Sequence, residues 1–161
     1  MESPPSSPPL RIANLLRQVR HTGEYHLLTE AIPYTRFLGI GVENTTGEVL
    51  CRMRFAPMLI GNSSIPALHG GTLGALMESA AIFELLLRTQ AERVPKIISI
   101  TVDFLRSGKP QDTYAKAFIT RQGRRVANVR VEAWQDERSR PIASANALFL
   151  LSPGAPRVSG P

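Results

Sequence analysis

Residues 67–72 read Ala-Leu-His-Gly-Gly-Thr and open an apolar run of helical length. The consecutive glycines Gly70 and Gly71 let a ligand approach the backbone closely. At a helix N-terminus their amide N–H groups would be free, and the helix dipole there favours a developing oxyanion. His69 stands immediately before them, and Glu78 follows nine residues after it in an otherwise apolar stretch. Burying that carboxylate unpaired would cost several kcal/mol, so it needs a partner or a task. Helix-start donors, a histidine and a buried carboxylate together make an acyl-transfer site, with oxyanion stabiliser, hydrogen-bonding group, and base or nucleophile. Each alone has a plainer reading: a turn, a structural histidine, an acid paired with a partner's arginine. The three at this spacing on one helix favour chemistry.

A second chemical feature is the cluster Arg121, Arg124 and Arg125 around Gly123. Arginine binds phosphate through two parallel N–H donors, so the cluster could seat a polyphosphate; as a solvated turn it would need no ligand. The single cysteine, Cys51, alternates in phase with Val49, Met53 and Phe55, which places it on an apolar face as a core residue rather than a nucleophile. One cysteine excludes an internal disulfide framework and a multi-cysteine metal site, and no metal is expected. A reducing, cytoplasmic compartment is the default.

The elements that must position these residues can be read from periodicity. Residues 72–89 carry apolar side chains almost all round, which predicts a helix of about 27 Å buried on most sides. Glu78 and Glu84 within it argue against a membrane span, and no membrane partner is expected. Ahead of it, Ile12, Leu15, Leu16 and Val19 mark a short amphipathic helix over residues 10–20, read as packed on the domain rather than on a membrane surface. Period-two alternation predicts strands at 39–44 and 48–55, joined by a hairpin, and at 98–104, 113–121, 126–135 and 142–151. Hairpin connections make the sheet largely antiparallel, and a helix apolar all round must be wrapped by it. The fold class is therefore α+β, one long helix wrapped by an antiparallel sheet. One helix cannot hide every sheet edge, so self-association follows.

The chain has 161 residues, 43% of them hydrophobic, enough for one domain with a real core. Seven of its thirteen prolines fall in the first nine and last ten residues, so 1–9 and 152–161 read as disordered tails around a single domain, 10–151. No apolar segment of the secretory type follows Met1. A net charge of +6 favours anions, but the basic residues are spread out and no helix-turn-helix or zinc motif is present, so nucleic acid is not the expected partner.

His69-Gly70-Gly71-x-x-x-x-Leu76-x-Glu78 resembles the signature of hotdog-fold acyl-CoA thioesterases of the phenylacetic-acid (PaaI) type. Phe104-Leu105-Arg106 is similar to a Tyr-Leu-Arg-Pro stretch of that family, and the resemblance covers about 33–151. It implies a hotdog domain that hydrolyses an acyl- or aroyl-CoA to free acid and CoA, with no cofactor, since coenzyme A is part of the substrate. It implies that the Gly71 N–H polarises the thioester carbonyl and that His69 lies near the carbonyl or sulfur. Glu78 would be supplied across a homodimer interface as general base or nucleophile, and dimers could pair into tetramers. The family often carries Asn-Pro-x-Gly before its histidine; here Asn62 lies seven residues before His69 and is the candidate positioning residue. Arg121, Arg124 and Arg125 would seat the CoA phosphates, and Phe83, Leu86 and Met58 would shape the acyl pocket. Two other readings are a hotdog acyl-CoA-binding regulator without turnover, against which Glu78 argues, and a hotdog hydratase or dehydratase, which lacks Gly-Gly followed by Glu at this spacing.

Overall fold

The computed structural model describes residues 8–45, 47–89, 91 and 93–151. The chain begins with α1 (Pro8–Thr22), which starts two residues inside the stretch read as an N-terminal tail. Proline is tolerated in a first helical turn because its missing N–H would have no partner there. Residues 1–7 and 152–161 of the expected tails lie outside the described residues. The apolar stripe of α1 packs inward as its periodicity demands, with Ala13, Leu16 and Val19 buried.

Two short helices follow that periodicity did not reveal, α2 (His26–Ala31) and α3 (Pro33–Phe37). Each spans too few residues to show a 3.6-residue repeat. Local polar bonds hold them: the Thr35 hydroxyl donates to the carbonyls of Thr29 (2.6 Å) and Ile32 (2.8 Å).

The main sheet contains β1 (Ile40–Thr45), β2 (Glu48–Met53), β5 (Lys96–Phe104), β6 (Thr113–Gln122), β7 (Val126–Trp134) and β8 (Ala143–Leu150). Its order is β1-β2-β6-β7-β8-β5, every pair antiparallel. Between β2 and the long helix α4 (Gly70–Arg88) lies a small hairpin, β3 (Ile60–Asn62) and β4 (Ala67–Leu68). The strand after α4 crosses to the far edge, so β5 presents an unpaired edge. A register shift between Ile97 and Ser99 leaves Ile98 53% exposed on it. This is the α+β hotdog layout.

The sheet wraps α4 closely because its concave face is rich in alanine. Ala115, Ala117, Ala133, Ala143, Ala145 and Ala147 are all buried, and small side chains admit a helix at short range. Leu73, Leu76, Met77, Ala80, Phe83 and Leu86 of α4 fill the space above them. Burying Phe83 completely stabilises the fold by about 2–3 kcal/mol. Away from the helix ends, the less covered residues of α4 include Ala75, Glu78 and Ile82, which with Gly71 are spaced i, i+4, i+7, i+11 and form one stripe. By length and mean hydropathy, 1.3, α4 could cross a membrane, but here the sheet sheathes it.

At its C-terminus α4 is closed by α1. The Arg20 guanidinium donates to the carbonyls of Leu86 and Thr89 (both 2.8 Å) and Ala91 (3.2 Å), groups a helix end leaves unsatisfied.

Candidate active site

The start of α4 is held from two sides. The His69 N–H donates to the Leu59 carbonyl (2.8 Å), and the Leu68 N–H donates to that of Gly108 (2.9 Å). Gly61 crosses directly over His69: a methyl group there would lie 2.7 Å from the His69 Cα, so no other residue fits. Asp112 anchors the approach to this hairpin. It accepts the Phe55 N–H (2.7 Å) and two Arg52 bonds (2.9 and 2.5 Å), which together hold its carboxyl below the usual range.

His69 has an extended backbone (ψ 128°) and caps α4. Its ring Nδ1 accepts the Gly71 N–H at 2.9 Å, and its carbonyl accepts the Thr72 N–H (2.9 Å) and hydroxyl (2.7 Å). This corrects the expectation that both glycine amides are free. A capping side chain takes the second helical N–H, and here the histidine is that side chain. Among the described residues nothing accepts the Gly70 N–H, so Gly70, not Gly71, offers the open helix-start donor.

Gly70 lies under the ring of Phe104, the last residue of β5; a methyl on Gly70 would meet Phe104 Cζ at 2.9 Å. Together they border a groove of about 450 Å³ that Leu68, Leu73, Leu105 and Arg106 also line. Phe83 and Leu86, expected to shape the acyl pocket, are fully buried on the sheet side, and Met58 is exposed away from this lining. Both helical residues lie off the open stripe of α4, which a pattern apolar all round does not reveal.

Glu78 is on that stripe, half-buried, with no described partner. The fully buried carboxylate of α4 is Glu84 instead, 7% exposed. Its Oε1 lies 3.1 Å from Arg88 Nε, its Oε2 has no hydrogen-bond partner, and burial pushes its carboxyl up. Arg88 also donates to the Gly47 carbonyl (2.5 Å). Burial, with Glu84 second, raises the Cys51 thiol far above its ordinary value, so Cys51 is the inert core residue its alternation indicated.

Asn62 is next to the site but spent on its own turn: its Oδ1 accepts the N–H of Ser64 (3.0 Å) and of Ile65 (3.4 Å). Arg121, Arg124 and Arg125 are exposed and have no described ion-pair partner. Register places them at the other end of the strands. Their hairpin end aligns Val126 with Leu150 and Leu150 with Lys96, whereas Phe104 ends β5 beside Gly70. Eight residues of strand separate the two ends, about 26 Å. Gly61 and Phe104 have site roles that residue type alone did not assign, because each depends on a long-range crossing. No three His, Cys, Asp or Glu side chains gather as a metal-binding set among the described residues.

Comparison with known proteins places the chain in a family. The family described as acyl-CoA thioesterase N-terminal domain matches residues 61–150, which contain the hairpin, α4 and the four following strands. The medium/long-chain acyl-CoA thioesterase YigI of Escherichia coli K12 is 31% identical over 143 residues, 79% of this chain and 87% of YigI. A crystal structure of a Chromobacterium violaceum protein is 40% identical with a TM-score of 0.70, covering 85% of this chain and 96% of that one. A phenylacetic acid degradation-related protein of Ralstonia eutropha JMP134 is 19% identical (TM-score 0.69, 86% and 100% covered) and shows the shared fold. The histidine-capped, glycine-opened helix thus sits inside the matched segment, and the chain belongs to the acyl-CoA thioesterase family.

Proposed function

We propose that this chain hydrolyses the thioester of an acyl-CoA to the free acid and coenzyme A, at a site completed by a second copy of itself. The observation that carries it is the unpaired Gly70 N–H at the start of α4, bordering a groove lined by Leu68, Leu73 and Phe104 together with Arg106 and Ser107. A thioester carbonyl accepting that hydrogen bond would develop its negative charge at the positive end of the helix dipole. His69, pinned beside it by the Gly71 N–H, lies within reach of the carbonyl or the sulfur.

Glu78 supplies the base or nucleophile, and helix geometry supports its coming from the second copy. Eight residues separate it from Gly70, about 12 Å along the axis. A glutamate side chain leaning back one turn recovers only about 5 Å of that, so Glu78 of one chain cannot reach a carbon held by its own Gly70. A two-fold pairing of the open β5 edges is antiparallel and turns one protomer end for end against the other. The stripe bearing Glu78 then faces the partner's helix start. The same reversal carries the partner's Arg121, Arg124 and Arg125 to the His69 end, where they are candidates to seat the CoA phosphates. The name of YigI supports medium- to long-chain acyl groups as the substrate.

The test is incubation with octanoyl-, palmitoyl- and benzoyl-CoA and a free-thiol reagent. CoA release above the uncatalysed rate is expected, and buried Cys51 adds no background of its own. Tight binding without release would replace hydrolysis by the acyl-CoA-binding regulator reading.

A further inference from the structure

Leu68, Leu73 and Leu105 are among the lining of the groove beside Gly70, and the Phe104 ring presents its tip to the Gly70 α-carbon, with Cζ and Cε1 at 2.9 and 3.1 Å from where a β-carbon would be. That α-carbon is one covalent bond from the free amide nitrogen. Any carbonyl accepting the Gly70 N–H therefore has its substituent carbons within a van der Waals layer of the ring. Phe104 is 58% exposed, so its outer face looks onto the groove rather than into the core.

The backbone that carries the ring is held from both sides. The N–H groups of Leu105 and Arg106 both donate to the Ile142 carbonyl (2.8 and 3.0 Å), and the Arg106 guanidinium donates to the Pro141 carbonyl (2.5 Å). Phe104 pairs with Ala143 at the end of β5, and the loop that follows is tied through Gly108 to the residue before His69. The point from which the ring projects is thereby set, and the volume its tip takes beside Gly70 is lost to a ligand bound there.

We propose that Phe104 is a specificity-determining residue: its ring edge restricts the carbon adjacent to the thioester carbonyl, so the site accepts unbranched aliphatic acyl groups and rejects aromatic or α-branched ones. This rests on the hydrolase reading above and narrows it. A flat ring or a methyl branch at that carbon needs the volume the Phe104 edge occupies, whereas an unbranched methylene chain leaves that volume to the ring. One group too many against an apolar wall discriminates by about tenfold to two-hundredfold.

The experiment measures kcat/KM of the full chain for octanoyl-, 2-methyloctanoyl- and benzoyl-CoA, in wild type and in Phe104→Ala, Phe104→Leu and Phe104→Tyr. The wild type should favour octanoyl-CoA, and Phe104→Ala should narrow its advantage over both others by about tenfold or more. The change should come from faster turnover of the bulky substrates, with inhibition by free CoA unchanged. Phe104→Leu should give an intermediate ratio and Phe104→Tyr the wild-type one. If Phe104→Ala unfolds, the Leu and Tyr variants decide alone. Ratios within twofold of wild type in folded Ala and Leu variants would overturn the proposal and leave hydrolysis standing. A wild type that prefers benzoyl-CoA would also overturn it. No CoA release from any of the three would instead overturn hydrolysis, and this assignment with it.

Discussion

Glu78 and Glu84 stand six residues apart on one helix and have opposite surroundings, which separates their roles. Glu78 is half-open and unpartnered on the uncovered stripe, and Glu78→Gln should lower turnover at least about a hundredfold while acyl-CoA binding survives. Equilibrium binding and single-turnover assays check both halves. Glu84 is enclosed with one oxygen unbonded. Burial raises its folded carboxyl above the unfolded value of about 4.3, so above that pH the native state binds more protons and stability falls as pH rises. In Glu84→Gln this fall is gone. Thermal melts should show the variant ahead of wild type by about 1 kcal/mol at pH 8 and level with it near pH 4; an equal offset at both would refute the assignment. The glycines divide in the same way. A methyl on Gly71 would meet the His69 Nδ1 at 2.9 Å and push the ring away, so Gly71→Ala should act through the histidine. The double variant His69→Ala/Gly71→Ala should then be no slower than His69→Ala alone, and additive losses would show that Gly71 acts directly.

At the scale of elements, the β3–β4 hairpin does the positioning that residue types alone do not disclose. Gly61→Ala would force a methyl against the His69 α-carbon, where no rotamer can relieve the contact. It should cost about 1–3 kcal/mol by denaturant melts and lower activity beyond the folded fraction lost. Long periodic elements were legible from the sequence. The alternation of Val49, Cys51 and Met53, the chain of alternating residues from 113 onward and the all-round apolar α4 all formed where expected, with ends shifted by one or two residues. What stayed hidden was short or non-local. α2, α3 and the hairpin are too brief for a period, and the crossing of Gly61 over His69 and of Phe104 over Gly70 join residues eight and thirty-four apart in sequence. The site was legible as residue types but not as bonds. Nothing in His-Gly-Gly says that the histidine takes the second glycine's amide for its own cap.

Taken whole, the described sheet has two edge strands, β1, against which α2 and α3 pack, and β5. β5 offers the exposed Ile98 and Phe104 along a backbone edge that no other described strand pairs with. Such an edge invites pairing with an identical one. Light scattering at micromolar concentration should therefore give at least twice the chain mass. Ile98→Lys, which puts a charge on the edge at an exposed position, should halve that mass and leave the circular dichroism unchanged. Activity should vanish along with the dimer, since Gly70 and Glu78 of one chain cannot meet on one carbon. A fully active monomer would contradict the shared site.

The bond between the Gly71 amide and the His69 ring settles one more matter. A nitrogen that accepts an N–H must keep its lone pair, so in the neutral imidazole the proton is on Nε2. On the proposed function, the ring would then offer a donor rather than a lone pair to a thioester beside it, which would make His69 an electrophilic aid to the leaving sulfur or the carbonyl rather than the group that deprotonates water. Nitrogen-15 chemical shifts of the imidazole distinguish the two tautomers directly, and a protonated Nδ1 in the resting chain would return the role of base to the histidine.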